Sequence, residues 1–236
     1  MQRKKSIILA STSTLFGENY LAYLRDTIAQ LFAQTKEIIF VPYARPGGIS
    51  HTAYTESVHS FFMGLGIGVR GLHEFPDPMS ALRESNGIFT GGGNTFLLVK
   101  ALHDLGLMTV LRDVVNAGTP YLGTSAGSNI AGVNMQTTND MPIVYPPSFE
   151  TMGLVPFNIN AHYLDPDPTL KHNGETRETR IGEFHVFNRI PVIGLREGSW
   201  IAVDGDIVST EGSRPSRIFS PGQAPNEIAA GTVLHL

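Results

Sequence analysis

Gly123-Thr124-Ser125-Ala126-Gly127 sets a serine between small residues directly behind an apolar run. This G-x-S-x-G spacing suits a strand-to-helix elbow that lifts a nucleophilic hydroxyl clear of the backbone, and its glycines supply the room so sharp a turn needs. The same five residues also suit a plain tight loop. A serine nucleophile requires a base, a group that orients the base, and donors for the developing oxyanion. Residues 88–95, IFTGGGNT, offer the donors, because a glycine run that leaves one segment and opens a helix has N–H groups free to face an anion. A dinucleotide fingerprint is excluded by Phe96, which stands where G-x-G-x-x-G needs its last glycine, and Gly-Lys-Ser/Thr of a phosphate loop is missing. Two readings remain for the run: an oxyanion hole shared by Gly92 or Gly93 with the Ala126 N–H, or a simple turn.

Eight histidines compete for the base. His51, His59, His73, His103 and His185 fall in or beside helical or strand-like patterns and read as ordinary surface or half-buried residues. His172 lies in a polar loop and His235 at the terminus. His162 ends the strand-like residues 157–161 and would emerge at the same sheet edge as Ser125. Asp165 and Asp167 follow it and raise a metal site, but Asp-Pro-Asp-Pro also makes a stiff turn, and no second histidine has ligand spacing. No metal and no cofactor are expected.

Such side chains need a frame. Ser6–Ala10, Glu37–Val41, residues 68–72, residues 87–90 and Tyr121–Thr124 read as buried strands. Between them, Leu21, Leu24, Ile28, Leu31 and Phe32 mark one helix face, Val58, Phe61, Phe62 and Leu65 a second, and Val110, Leu111, Val114 and Val115 a third that stops at Gly118. This alternation predicts an α/β fold, a mostly parallel sheet with helices on both faces, whose ligands bind at the carboxyl ends of the strands. Ser125 would stand at that edge. Beyond residue 156 the pattern changes to a strand at 157–162, a helix over Arg177–Phe187, and a hairpin turning at Asp204-Gly205 by a type I′ turn. The tail, with Pro215, Pro221 and Pro225, reads as edge strands and loops. With no repeat or linker, residues 1–236 form one expected domain.

The 236 residues are 42% hydrophobic and 16% charged, with a net charge of −4, which makes nucleic acid and anionic membrane poor partners. No cysteine is present, which excludes disulfides, thiolate zinc sites and a cysteine nucleophile. Residues 7–10 are too short a run for a signal peptide, and no segment approaches the roughly 20 apolar residues of a membrane span, so a cytoplasmic protein is expected. Homo-oligomerisation stays open.

In order along the chain stand TGGGNTF (90–96), GTSAGSN (123–129), TTNDMPIV (137–144), NAHY (160–163), GETRE (174–178) and GLREGSWI (194–201). Together they resemble peptidase E, a family of serine dipeptidases that cleave after an N-terminal aspartate. The resemblance spans residues 5–210, and TTNDMPIV with GETRE is far more specific than the elbow. It implies a flavodoxin-like sandwich akin to class I glutamine amidotransferase domains, with serine replacing their cysteine. It also implies Ser125 as nucleophile, His162 as base, and Gly92 or Gly93 with Ala126 as oxyanion donors. For the orienting acid it offers Asp140 and Glu197, although Asp140 could cap a turn before Pro142 and Glu197 could be a solvated carboxylate. Ser, His, Glu is a different chain order from α/β-hydrolases. An aspartyl substrate calls for a fixed cation, and Arg177 in GETRE is the matched residue, with Arg180 as the fallback and Asn139 as a further substrate contact. Either arginine could instead pair with Glu175 or Glu178. Asp140 could receive the substrate amino group. Residues 164–172 and 212–236 carry no matching motif. Two other readings stand beside the dipeptidase: a cyanophycinase-like hydrolase of aspartyl-arginine polymer, and a binding module that kept the elbow without the chemistry.

Overall fold

Apolar side chains on both faces of the central strands decide the layering. In β1 (Ser6–Ala10), Ile7 and Leu9 pack on one side while Ile8 and Ala10 pack on the other. In β2 (Glu37–Val41), Ile39 and Val41 oppose Ile38 and Phe40 in the same way. With β3 (Gly68–Gly71), β4 (Ile88–Thr90) and β5 (Tyr121–Thr124) they form five parallel strands. Strand side chains alternate between faces, so each face needs its own cover of helices. Ile28 of α1 (Arg25–Leu31) and Val58 and Phe62 of α2 (His51–Met63) cover one. Leu82 of α3 (Pro78–Glu84), Leu98 and Leu102 of α4 (Thr95–Asp104), and Leu111 and Val115 of α5 (Leu107–Asn116) cover the other. The computed structural model describes residues 4–166, 169 and 174–235.

The chain then passes through α6 (Ala126–Asn129) to β6 (Asn158–Ala161), α7 (Arg177–Phe187) and β7 (Val192–Leu195). It continues through β8 (Ser199–Asp204), β9 (Ile207–Gly212), β10 (Ser216–Phe219), β11 (Asn226–Ile228) and β12 (Thr232–Val233). The larger sheet has the order β12-β9-β8-β1-β5-β4-β2-β3, and β8, β9 and β12 extend its parallel part antiparallel. A smaller sheet has the order β11-β10-β7-β6, with only β6 and β7 parallel. The fold is therefore α/β and mostly parallel in its centre, as the strand-helix alternation implies.

Three details differ from the sequence reading. The smaller sheet has no counterpart in it: β10 lies inside that sheet, between β7 and β11, so only β11 and β12 of the tail are edges. The hairpin forms, but Asp204 pairs with Ile207, so its loop is Gly205-Asp206 rather than Asp204-Gly205. Of these two only Gly205 has a positive φ, 64°, and glycine in the first position alone suits a type II′ turn rather than a type I′. Helix α1 begins at Arg25, because Leu21 adopts a left-handed φ of 55° and buries its side chain from a turn. Among the described residues no helix is long and apolar enough to cross a membrane.

Candidate active site

Ser125 leaves β5 with φ 53° and ψ −111°, a conformation that costs a non-glycine residue about 1–3 kcal/mol and persists only where its surroundings enforce it. They do so by backbone contact. A Cβ on Gly127 would lie 2.1 Å from the Thr90 carbonyl oxygen, and one on Gly123 would lie 2.5 Å from that of Gly127. Both glycines are therefore steric necessities, the first because α6 lies on the end of β4, the second because the elbow folds back on its own strand. The Ser125 N–H donates to the Ala10 carbonyl at 3.0 Å, which ties the turn to β1. Beneath it, Tyr121 donates its hydroxyl to the Gly127 carbonyl at 2.7 Å.

The imidazole comes from the other sheet. His162 follows β6 with φ 54°, and its N–H donates to Ser11 Oγ at 2.9 Å, while Ser11 donates to the Leu195 carbonyl at 2.8 Å. One hydroxyl thus joins the ends of β1, β6 and β7. His162 Nε2 lies 3.0 Å from Ser125 Oγ and Nδ1 lies 2.7 Å from Glu197 Oε1. Glu197 stands in the turn from β7 to β8, where Gly198 has φ 92° and Ser199 Oγ donates to the Arg196 carbonyl at 2.6 Å. With the Nδ1 proton directed at the carboxylate, Nε2 keeps a lone pair for the serine proton. The His162 and Glu197 side chains are 40% and 45% exposed, so the site opens directly to solvent.

Asp140, the other carboxylate offered for His162, lies elsewhere. Its Oδ2 accepts from the Thr95 N–H at 2.7 Å and from Thr138 Oγ1 at 3.0 Å. It therefore satisfies the first N–H of α4, while the N-cap Asn94 accepts from Leu97 N–H at 3.0 Å. Asn139, expected at the substrate, commits its amide to the chain before His162: Nδ2 donates to the Ala161 carbonyl at 2.7 Å, and Oδ1 accepts from Asn160 at 2.9 Å.

The glycine run lies against the serine. A Cβ on Gly92 would stand 3.1 Å from Ser125 Cβ, and Gly93 has φ 143° with a Cβ position 2.3 Å from the Ala44 carbonyl oxygen. Among the described residues the N–H groups of Gly92, Gly93 and Ala126 have no hydrogen-bond partner.

Arg177 is the first residue of α7, behind the N-cap Thr176, and among the described residues it makes no ion pair. Partial burial and the neighbouring Arg180 hold its guanidinium below the usual arginine range, against the opposing attraction of Asp140. Arg180 is exposed and stands 3.8 Å from Glu175, a surface pair of the kind worth little to stability.

Sequence reasoning missed the ion cluster beside Glu197. Arg196 is 7% exposed, and its guanidinium takes Asp165 at 2.6 and 2.8 Å, Glu227 at 2.8 and 2.9 Å, and the Pro215 carbonyl at 2.8 Å. These bonds raise the Arg196 pKa and hold the Asp165 carboxyl below the usual carboxylate range. The only signal in the sequence was an arginine adjoining Glu197. Asp165 is thereby engaged by a guanidinium, and among the described residues no cluster of three potential metal ligands occurs. Asp167 and His172 lie outside the described residues.

A serine, an imidazole and a carboxylate in line at the carboxyl edge of a parallel sheet have the constitution of a serine hydrolase. The chain belongs to peptidase family S51, whose profile matches residues 7–210. It is 49% identical over 229 residues to "Peptidase E" of Streptomyces coelicolor, covering 97% of this chain and 93% of that protein. It is 44% identical over 232 residues to a "Probable alpha-aspartyl dipeptidase" of Drosophila melanogaster, covering 97% and 95%. Among solved structures, a peptidase from an acI-B1 Actinobacterium superposes with a TM-score of 0.74 at 16% identity, over 100% of this chain and 98% of that one. A putative peptidase E of Listeria monocytogenes gives 0.67 at 22% identity, over 89% and 100%. At these identities the two structures speak for the fold alone.

Proposed function

We propose that this chain is a serine dipeptidase that hydrolyses the bond following an N-terminal aspartate. The hydrogen-bonded series Ser125–His162–Glu197 carries the reading, at 3.0 and 2.7 Å. Ser125 Oγ attacks the aspartyl carbonyl carbon while His162 Nε2 takes its proton, and Glu197 stabilises the resulting imidazolium. The oxyanion faces the N–H groups of Ala126 and of Gly92 or Gly93. The amine leaves with the proton from Nε2. Water then attacks the aspartyl ester with the same histidine as base, releasing aspartate and freeing Ser125.

Specificity rests on Arg177, whose planar guanidinium can hold the substrate side-chain carboxylate by two parallel bonds. Asp140, within electrostatic reach of Arg177 and not on His162, is the acid we assign to the substrate ammonium. Names of relatives support aspartyl dipeptides over polymeric aspartyl-arginine, for which no observation speaks. Action in the cytoplasm belongs to the same proposal, in keeping with the cysteine-free composition. Incubation with Asp-Leu, Asn-Leu and the polymer, followed by amine detection, tests it. Asp-Leu should be cleaved, Asn-Leu should be slower by roughly 10⁴-fold, and Ser125→Ala should abolish turnover. Arg177→Met should narrow the gap between Asp-Leu and Asn-Leu. Full discrimination by that variant would move the carboxylate contact to Arg180.

A further inference from the structure

We infer that Tyr54 is a positioning residue for the oxyanion site, acting through the peptide between Gly92 and Gly93; the inference rests on the serine-hydrolase reading above. Tyr54 lies in α2, on the face that covers β2 and β4, and is only 4% exposed. Its hydroxyl donates to the Gly92 carbonyl at 2.9 Å. A trans peptide fixes its N–H opposite its carbonyl, so holding the Gly92 C=O toward α2 turns the Gly93 N–H away from α2. Gly92 itself lies against Ser125, as the 3.1 Å approach of its Cβ position to Ser125 Cβ shows. Of the two glycines offered as donors, the bond selects Gly93.

The phenol is held in place from several sides. Its ring stands edge-on to Phe40 at 4.9 Å between centroids, and the Arg45 guanidinium lies 4.8 Å from its centroid. A Cβ on Gly91 would fall 2.4 Å from the Tyr54 hydroxyl oxygen, so the start of the glycine run is shaped to admit that oxygen. Burial raises the Tyr54 pKa, which keeps the hydroxyl protonated and a donor at any working pH. The Gly93 conformation, φ 143°, is open only to glycine, and the Asn94 N–H bond to the Ala44 carbonyl at 2.7 Å fixes the far side of the same peptide pair. The peptide is therefore set before any substrate arrives, as electrostatic stabilisation of a transition state requires.

Tyr54→Phe removes the oxygen and keeps the ring. Its effect is measured on Asp-Leu turnover, on the affinity of an α-aminoboronic acid bearing the aspartate side chain, and on the affinity of free aspartate. Ser125 Oγ adds to the boron of the boronic acid as its proton passes to His162 Nε2, and the resulting anionic tetrahedral boronate presents an oxygen to the donors, whereas aspartate makes no such adduct. Loss of an oxyanion donor costs about 10²–10³-fold, and loss of its positioning should cost less, about 10–10²-fold in kcat. KM should stay within about twofold, the boronate should weaken by the same factor as kcat, and aspartate should bind unchanged. Equal weakening of boronate and aspartate, or an unchanged kcat, would overturn the assignment and leave Tyr54 as packing. If wild-type protein ignores Asp-Leu but still forms the boronate adduct, the substrate reading fails while the boronate comparison still tests Tyr54. Failure of wild-type protein to form any adduct overturns both.

Discussion

The elbow after β5 is held by backbone packed on backbone, whereas the turn after β7 is held by charge. Around Ser125 the closest contacts are between main-chain atoms, with Gly127 on Thr90 and Gly123 on Gly127. The Tyr121 and Ser128 hydroxyls donate to main-chain carbonyls, and among the described residues no ionised side chain takes part. Around Glu197 the support is the Arg196 guanidinium, enclosed by Asp165, Glu227 and the Pro215 carbonyl. The first arrangement tolerates no added atom and is indifferent to pH and salt. The second tolerates small changes of shape but depends on the ionisation of its carboxylates. On the proposed reading Ser125 is the nucleophile, and its unusual φ is served by the rigid support, because only steric over-determination enforces such an angle. A carboxylate that orients a ring needs direction more than a fixed backbone, and a charged network supplies that.

The contrast predicts a graded series of failures. Gly127→Ala should do the most damage, since the methyl group meets the Thr90 carbonyl oxygen and neither backbone can withdraw. A loss of about 3 kcal/mol or more in urea unfolding is expected, together with loss of turnover. An alanine variant of native stability would show that the elbow yields after all. Glu197→Gln should leave folding intact and lower kcat by roughly 10³-fold with little change in KM, because an amide favours the wrong imidazole tautomer. Asp140→Asn in parallel should mainly raise KM. Exchange of those two patterns in steady-state kinetics would exchange the two carboxylates.

Asp165→Asn should do the least, and its deficit should disappear in acid. The folded Asp165 carboxyl titrates below its ordinary value of 3.8, because Arg196 favours the ionised form. Its contribution is therefore complete above that ordinary value and is lost as pH falls through the lower, folded one. Thermal midpoints followed from pH 6 to pH 2 should fall less steeply in the variant than in the wild type. Identical slopes would mean that the ion cluster is ornamental to stability.

What could be read in the sequence follows the same divide. The elbow was legible because its geometry is local: Gly123, Ser125 and Gly127 are neighbours in the chain, and their spacing is the geometry. The β1 and β2 strands were legible because both their faces are apolar. The choice between Asp140 and Glu197 was not legible, since both lie far from His162 in sequence and only the junction of β6 and β7 at Ser11 brings one of them to Nδ1. Asn139 shows a second contact that local sequence does not reveal. A polar residue inside a specific motif invited a role at the substrate, yet its amide fastens the strand end that presents His162. The Arg196 cluster escaped because Glu227 comes from a tail without motifs, and nothing local pairs it with a buried arginine.

Strand order also sets when activity can appear. The three side chains are separated along the chain by 37 and 35 residues, and β8, which follows Glu197 directly, pairs with β1 from the other end of the protein. A ribosome adds about 5–20 residues per second, so seconds pass between the emergence of Ser125 and that of Glu197. Throughout that interval the growing chain carries a serine hydroxyl without its full acid-base relay. The β1–β8 ladder is among the most non-local contacts of the fold, of the kind that forms slowly. Hydrolytic competence is thereby deferred by topology until β8 has been made and can pair with β1.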